Sequence, residues 1–159
     1  MSLEHLWQLS YDSKTIDILR NWKYAIPLIQ SVHLLGLTML LGVTLILNIR
    51  LLGIGMKSFS VLSLSSQLWR WAKIGLFTMI VSGFFVFLPD PARYAANRSF
   101  QVKMMILVVA IIYQFTIFRR TVRSEAPQNS SGRNTAIALL SLALWFGVGW
   151  AGRGIAFLG

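Results

Sequence analysis

Residues 24–48 read YAIPLIQSVHLLGLTMLLGVTLILN. The run is long enough to cross a membrane as one helix, for which about 20 apolar residues suffice. Its only strongly titratable side chain is the imidazole of His33. A charged group at the bilayer centre costs roughly 2.5–3.5 kcal/mol, so such residues face a protein interior and mark candidate sites. Pro27 falls in the opening turn, where its missing N–H is tolerated.

The rest of the chain repeats that pattern. Of 159 residues, 55% are hydrophobic and 13% charged, against about a quarter charged in soluble proteins. Mean hydropathy is +0.63. Three more apolar spans are expected, over residues 72–88, 100–118 and 135–157. The expected fold is therefore all-α, one transmembrane domain over 1–159: an integral membrane four-helix bundle with short interfacial helices. One such helix is predicted to end near Arg20, N-capped by Asp12 or Ser13. Another is predicted in the serine-rich stretch Phe59–Trp71, lying at the interface before the chain turns inward. Pro89-Asp90-Pro91 ends the second span, and ARYAANRS forms a loop to the third.

Fifteen Lys/Arg against five Asp/Glu give a net charge of +10. In a soluble chain this would suggest nucleic acid. Here the basic residues flank the spans, where positive charge sets orientation and meets anionic headgroups, so nucleic acid is excluded as a partner. The segments after the first and third spans hold eight of them (Arg50, Lys57, Arg70, Lys73; Arg119, Arg120, Arg123, Arg133), which reads as cytoplasmic. Both termini are then extracytoplasmic. The N-terminus lacks a basic n-region and a small-residue cleavage site, so no cleavable signal peptide is expected. Without cysteine, disulfides, covalent haem and thiolate metal centres are excluded.

Helical phasing places Gln30, His33, Leu37, Leu40, Thr44 and Asn48 within about 90° of one another on the first span. A polar stripe in an apolar helix is expected to face the bundle interior. A second face, Ser31, Thr38 and Gly42, is small enough for helix contact. On the third span Lys103, Leu107, Ala110, Gln114 and Phe118 share a face. On the fourth, Ala143, Gly147 and Ala151 form a packing row. Gly147, Gly149 and Gly152 match G-x-G-x-x-G, but with no preceding strand this is also packing rather than dinucleotide binding. His33 lies roughly 13 Å below the extracytoplasmic edge, and Lys103 and Arg153 lie near that edge on their own helices. The expected site is a pocket with His33 at its floor and cations at its rim. His33, Lys103, Arg153 and Gln30 are the candidate cofactor contacts, and His33 the candidate metal ligand.

The bland alternatives stand beside these. His33 can be a hydrogen-bonded structural residue, Lys103 can snorkel to the headgroups, and Arg153 can be an interfacial anchor. Met39, Met79, Met104 and Met105 are copper(I) ligands or core filler. His5 lies in the surface segment. There is no Ser–His–Asp set, carboxylate pair or phosphate loop, and the absence of acids from the spans argues against an acid-based proton-driven transporter.

Val32-His33 with Gly36, Asn48-Ile49-Arg50-Leu51-Leu52-Gly53, Ala96-Asn97 with Phe100 and Lys103, and Gly152-Arg153-Gly154-Ile155-Ala156 together resemble a family of small four-helix bacterial inner-membrane proteins of unknown function. More distantly, the chain is similar to the membrane domain of copper-resistance protein D and to HemJ-type protoporphyrinogen oxidases. In the latter the corresponding His and Lys are functional and haem b is implicated. The resemblance carries over to His33 and Lys103, with Arg50 as a topology marker. Many of those relatives carry Phe-His where this chain has Phe118-Arg119, a departure that leaves no second imidazole there. The first expectation is thus a redox or haem/porphyrin-handling membrane protein. The alternatives are a non-enzymatic subunit of a larger membrane complex, and copper or small-solute passage. Expected partners are the lipid bilayer and a second copy of the chain or a larger complex.

Overall fold

The structure, a computed structural model, describes residues 21–55, 58–123 and 131–157. It contains four long helices: α1 (Ala25–Leu51), α2 (Val61–Phe87), α4 (Arg98–Arg123) and α5 (Ser131–Phe157), with a short α3 (Pro91–Ala96) between the second and third. The long four are each long and apolar enough to cross a membrane. The helix expected to end near Arg20, and His5, lie outside the described residues.

Local chemistry sets the helix ends. α1 closes in a Schellman motif: Gly53 takes φ +73°, its N–H donates to the Arg50 carbonyl, and the Ile54 N–H donates to the Ile49 carbonyl. Ser60 caps α2 by accepting from the Ser63 N–H. Asp90 caps α3, with Pro91 at its first position. Asn97 caps α4 by accepting from the Phe100 N–H. Because Asn97 both ends α3 and starts α4, Asn97→Ala should lower stability by about 1 kcal/mol. Chemical denaturation in detergent would measure it, and an unchanged midpoint would contradict the cap.

Two expectations are corrected. Phe59–Trp71 holds no separate interfacial helix: from Val61 onward it is the first half of α2, with no breaker between Ser60 and Phe87. Its serines are absorbed locally, Ser66 donating to the Ser63 carbonyl, while Ser65 and Trp69 are buried in the bundle. The expected loop ARYAANRS in turn contains α3, nucleated by the Asp90-Pro91 cap.

α1 packs mainly on α2 and α4 mainly on α5, with α1 and α5 joining the pairs; the last turn of α4 returns to α2. At the opposite end an aromatic trio joins α2, α3 and α4. Phe87 stacks on Phe100 at 5.6 Å, and Tyr94 sits 6.1 and 5.7 Å from the two rings. Arg50 is buried and ties the α1–α2 turn by donating from Nε to the Phe59 carbonyl.

Polarity is inverted relative to a soluble bundle. Thr44, Asn48, Ser65, Ser82, Gln114 and Ser141 are buried, while Leu35, Phe77, Met105, Phe146 and Trp150 are all more than 60% exposed. Four of the buried polar residues form one network. Gln114 donates to Thr44 Oγ1 (3.3 Å), and its carbonyl accepts from Ser141 Oγ (3.3 Å) and Trp145 Nε1 (3.4 Å). Asn48 Nδ2 donates to Ser141 Oγ (3.2 Å) and the Thr44 carbonyl (2.8 Å). Gln114 also opens a π-turn, Gln114–Phe118, in which the Arg119 N–H reaches back to the Gln114 carbonyl.

Candidate functional site

The site is built where α1 crosses α2. A Cβ on Gly75 would stand 2.8 Å from the Gly36 carbonyl oxygen and 2.9 Å from the Leu40 nitrogen; one on Gly36 would stand 2.9 Å from the Met79 nitrogen. Only a glycine on each helix lets the backbones meet this closely. One turn beyond Gly36 along α1 lies His33, and the close crossing brings it against Ser82 and Gly83 of α2. A Cβ at Gly83 would stand 3.1 Å from His33 Cε1, so the ring rests against bare backbone.

His33 Nδ1 lies 3.1 Å from Ser82 Oγ. Ser82 has one hydroxyl hydrogen, and Oγ is 2.5 Å from the Thr78 carbonyl, with the Met79 carbonyl at 3.3 Å. That hydrogen is committed to its own helix, so Oγ accepts from His33. With Nδ1–H donating to Ser82, the neutral imidazole carries its lone pair on Nε2. This is how a metal-binding imidazole is held when its other nitrogen donates to a neighbour.

Lys103 lies at the same end on the inner, partly buried face of α4. Its side chain runs along α5, with Nζ 3.6 Å from where a Gly152 Cβ would be. Its charge is within electrostatic reach of His33. His33 and Lys103 are thus brought to one region, from different helices. Arg153, beside Gly152, is exposed, and so is Gln30. Gln30 does not continue the buried stripe, although Ala25, further toward the start of α1, is buried again. From Leu40 to Asn48 the stripe is interior as expected, and so is the α4 face with Ala110, Gln114 and Phe118.

Other groupings differ from the expectations. Ser31 and Thr38 are exposed and donate to their own helix, to the Pro27 and Leu35 carbonyls, and nothing approaches Gly42 within 4 Å. Among the described residues that face makes no close helix contact. On α5, Gly147 and Gly152 do face α4, but nothing lies within 4 Å of Gly149. Ala143, Gly147 and Ala151 instead line an open groove of about 880 Å³ beside α4, with Phe146 and Trp150 at its rim. Met104 and Met105 sit on the exposed face of α4. Among the described residues no three His, Asp or Glu side chains gather as a metal site.

Sequence reasoning missed Ser82, Gly75 and Gly83. The available signal was the adjacent Ser82-Gly83 in an otherwise bulky stretch (MIVSGFFVF), which offers a hydroxyl and a gap together.

No curated protein and no solved structure matches the chain, so neither copper-resistance protein D nor the HemJ-type oxidases appear among its relatives. A family model does match, over residues 10–158. Four apolar helices across a match of that extent agree with the small four-helix family expected from the motifs, and the chain belongs to the family of unknown function DUF6644.

Proposed function

We propose that the chain is a multi-pass protein of the bacterial inner membrane that handles haem b or another porphyrin, which His33 would hold as its one imidazole ligand. The membrane placement is supported by the inverted polarity of the bundle, since exposed Leu, Phe and Trp with buried Thr, Asn and Gln suit lipid rather than water. The topology rests on a modest bias of eight Lys/Arg against six, with Arg119, Arg120 and Arg123 close together beside Arg50 and Arg133; it supports a cytoplasmic placement of that end, with both termini on the other side.

The observation that carries the cofactor reading is the His33–Ser82 hydrogen bond, which leaves Nε2 as an acceptor or ligand atom. His33 would hold the group through Nε2, with Ser82 fixing the ring, and Lys103 and Arg153 would supply cations for its anionic substituents. Bound haem would supply an iron centre able to change oxidation state. What this chain's own residues contribute is orientation of the imidazole and positive charge beside it.

Absorption spectroscopy of the detergent-purified protein tests the reading. A Soret band is expected, as isolated or after haem addition, and His33→Ala should abolish it. Ser82→Ala should weaken haem affinity roughly 10-fold, the lower end for loss of a group that orients a ligand. A colourless protein whose spectrum does not respond to haem or porphyrin would overturn the proposal.

A second reading, a non-enzymatic subunit of a larger membrane complex, is favoured by the open groove between α4 and α5. It requires that His33→Gln leave assembly intact and that partners co-purify. For copper passage, Met104 and Met105 lie on the exposed face of α4, while Met79 is buried beside the α1–α2 crossing; copper content unaffected by Met104 and Met105 substitution would remove its motive.

A further inference from the structure

The end opposite His33 carries a second feature. Phe115, Arg119 and Arg123 recur every four residues along α4 and, with Arg120, line an open cleft of about 440 Å³. Arg119 is partly buried, with its guanidinium carbon 5.4 Å from the centre of the Trp69 ring. That stacking satisfies the face of the guanidinium but not its donors. The Arg119 Nε–H is buried and meets no acceptor among the described residues. Burying a donor of a charged group without an acceptor costs more than the 1–3 kcal/mol of a neutral one.

No carboxylate answers this charge within the described residues. The only one there is Asp90, which caps α3 at the far end of the bundle. Three guanidinium charges also outweigh the roughly half negative charge of the helix C-terminus they occupy. A fork of parallel N–H donors beside two further cations matches the oxygens of a phosphate, which arginine binds bidentately.

We propose that the Arg119–Arg120–Arg123 cleft is a binding site for a phosphate group, with the Arg119 fork as its anchor. The source is the phosphodiester of an anionic phospholipid or a free phosphate, two ligands with the same chemical demand. The lipid source rests on the membrane placement proposed above, which carbonate washing of membranes tests separately. The His33 reading is not involved.

The test uses the purified full chain in detergent, titrated with short-chain phosphatidylglycerol, with the matching phosphatidylcholine as control, and followed by native mass spectrometry. Phosphatidylglycerol should bind in preference to phosphatidylcholine. Each arginine near an anionic lipid surface is worth about fivefold in affinity, so Arg120→Ala/Arg123→Ala, which spares the Trp69 contact, should lose roughly 30-fold. Arg119→Lys keeps a charge and loses the fork; a weaker, measurable loss is expected there. Lys73→Ala, a cation outside the cleft, should match wild type. Displacement of the lipid by millimolar inorganic phosphate would assign the site to soluble phosphate, and resistance would assign it to the lipid; either upholds a phosphate site. If neither probe distinguishes wild type from the double variant and Arg119→Lys, the proposal is overturned.

Discussion

Gly75→Leu is expected to abolish recovery of folded protein from detergent extracts, while Gly42→Leu should be recovered at the wild-type level. The contrast follows from what a side chain would meet. At Gly75 a single added carbon stands 2.8–2.9 Å from backbone atoms of Gly36 and Leu40, well inside the roughly 3.5 Å at which non-bonded heavy atoms sit best. Those atoms belong to a continuous helix and cannot swing aside, so α1 and α2 must separate. Overpacking a core costs about 1–3 kcal/mol where side chains can yield, and here none can. At Gly42 nothing lies within 4 Å. Gly75→Ala should already lower the unfolding midpoint clearly. Gly36→Ala added to it should cost less than it does alone, because the helices have already parted. Thermal unfolding followed by size-exclusion recovery measures both. Normal recovery of Gly75→Leu would show that the crossing does not hold the fold.

The same crossing explains what the sequence revealed and what it hid. Spans, their order and the inner face of α4 were legible, because each depends on one helix: length, hydropathy and a 100° phase suffice. The interior run from Leu40 to Asn48 followed in the same way. Gln30 did not: it shares the phase of Leu40 and Thr44 yet is exposed, because whether a polar residue is covered depends on the neighbouring helices, and periodicity within α1 holds no such information. Ser31 and Thr38 failed for a different reason. A hydroxyl in a helix can be satisfied by the carbonyl three or four residues before it, as both are here, and then signals no partner. Gly36 and Gly75 each look unremarkable alone and acquire meaning only from the register between two helices. Ser82 was hidden likewise, although it decides the tautomer of the one residue the sequence marked most plainly. The start of α2 is hidden because Ser-rich composition resembles an interface, whereas its serines are absorbed by capping and back-bonding.

The second large effect is expected at Gln114, where Gln114→Leu should destabilise the bundle by roughly 2–4 kcal/mol despite similar volume. Gln114 is fully buried and joins three helices, through Thr44 of α1 and Ser141 and Trp145 of α5. Interhelical hydrogen bonds in membrane proteins average about 0.6 kcal/mol and reach about 1.7. Three are lost at once, and the Trp145 N–H and Thr44 Oγ1 lose the amide that joins them. The Ser141 hydroxyl loses its acceptor while still receiving from Asn48. Leu, rather than Ala, keeps a cavity from adding to the loss. Thr38→Val is the matched control, since its hydroxyl bonds only its own helix; it should change stability by a few tenths of a kcal/mol. In a double-mutant cycle, Gln114→Leu with Trp145→Phe should couple by at least about 0.5 kcal/mol. Because the π-turn that ends at Arg119 is held by the Gln114 main-chain carbonyl, which Gln114→Leu keeps, phosphatidylglycerol binding at the arginine cleft should be unchanged, as should the His33–Ser82 pair at the other end. Chemical denaturation in detergent reads the destabilisation and native mass spectrometry the lipid binding. A loss under half a kcal/mol would mean that apolar packing alone holds the four helices together.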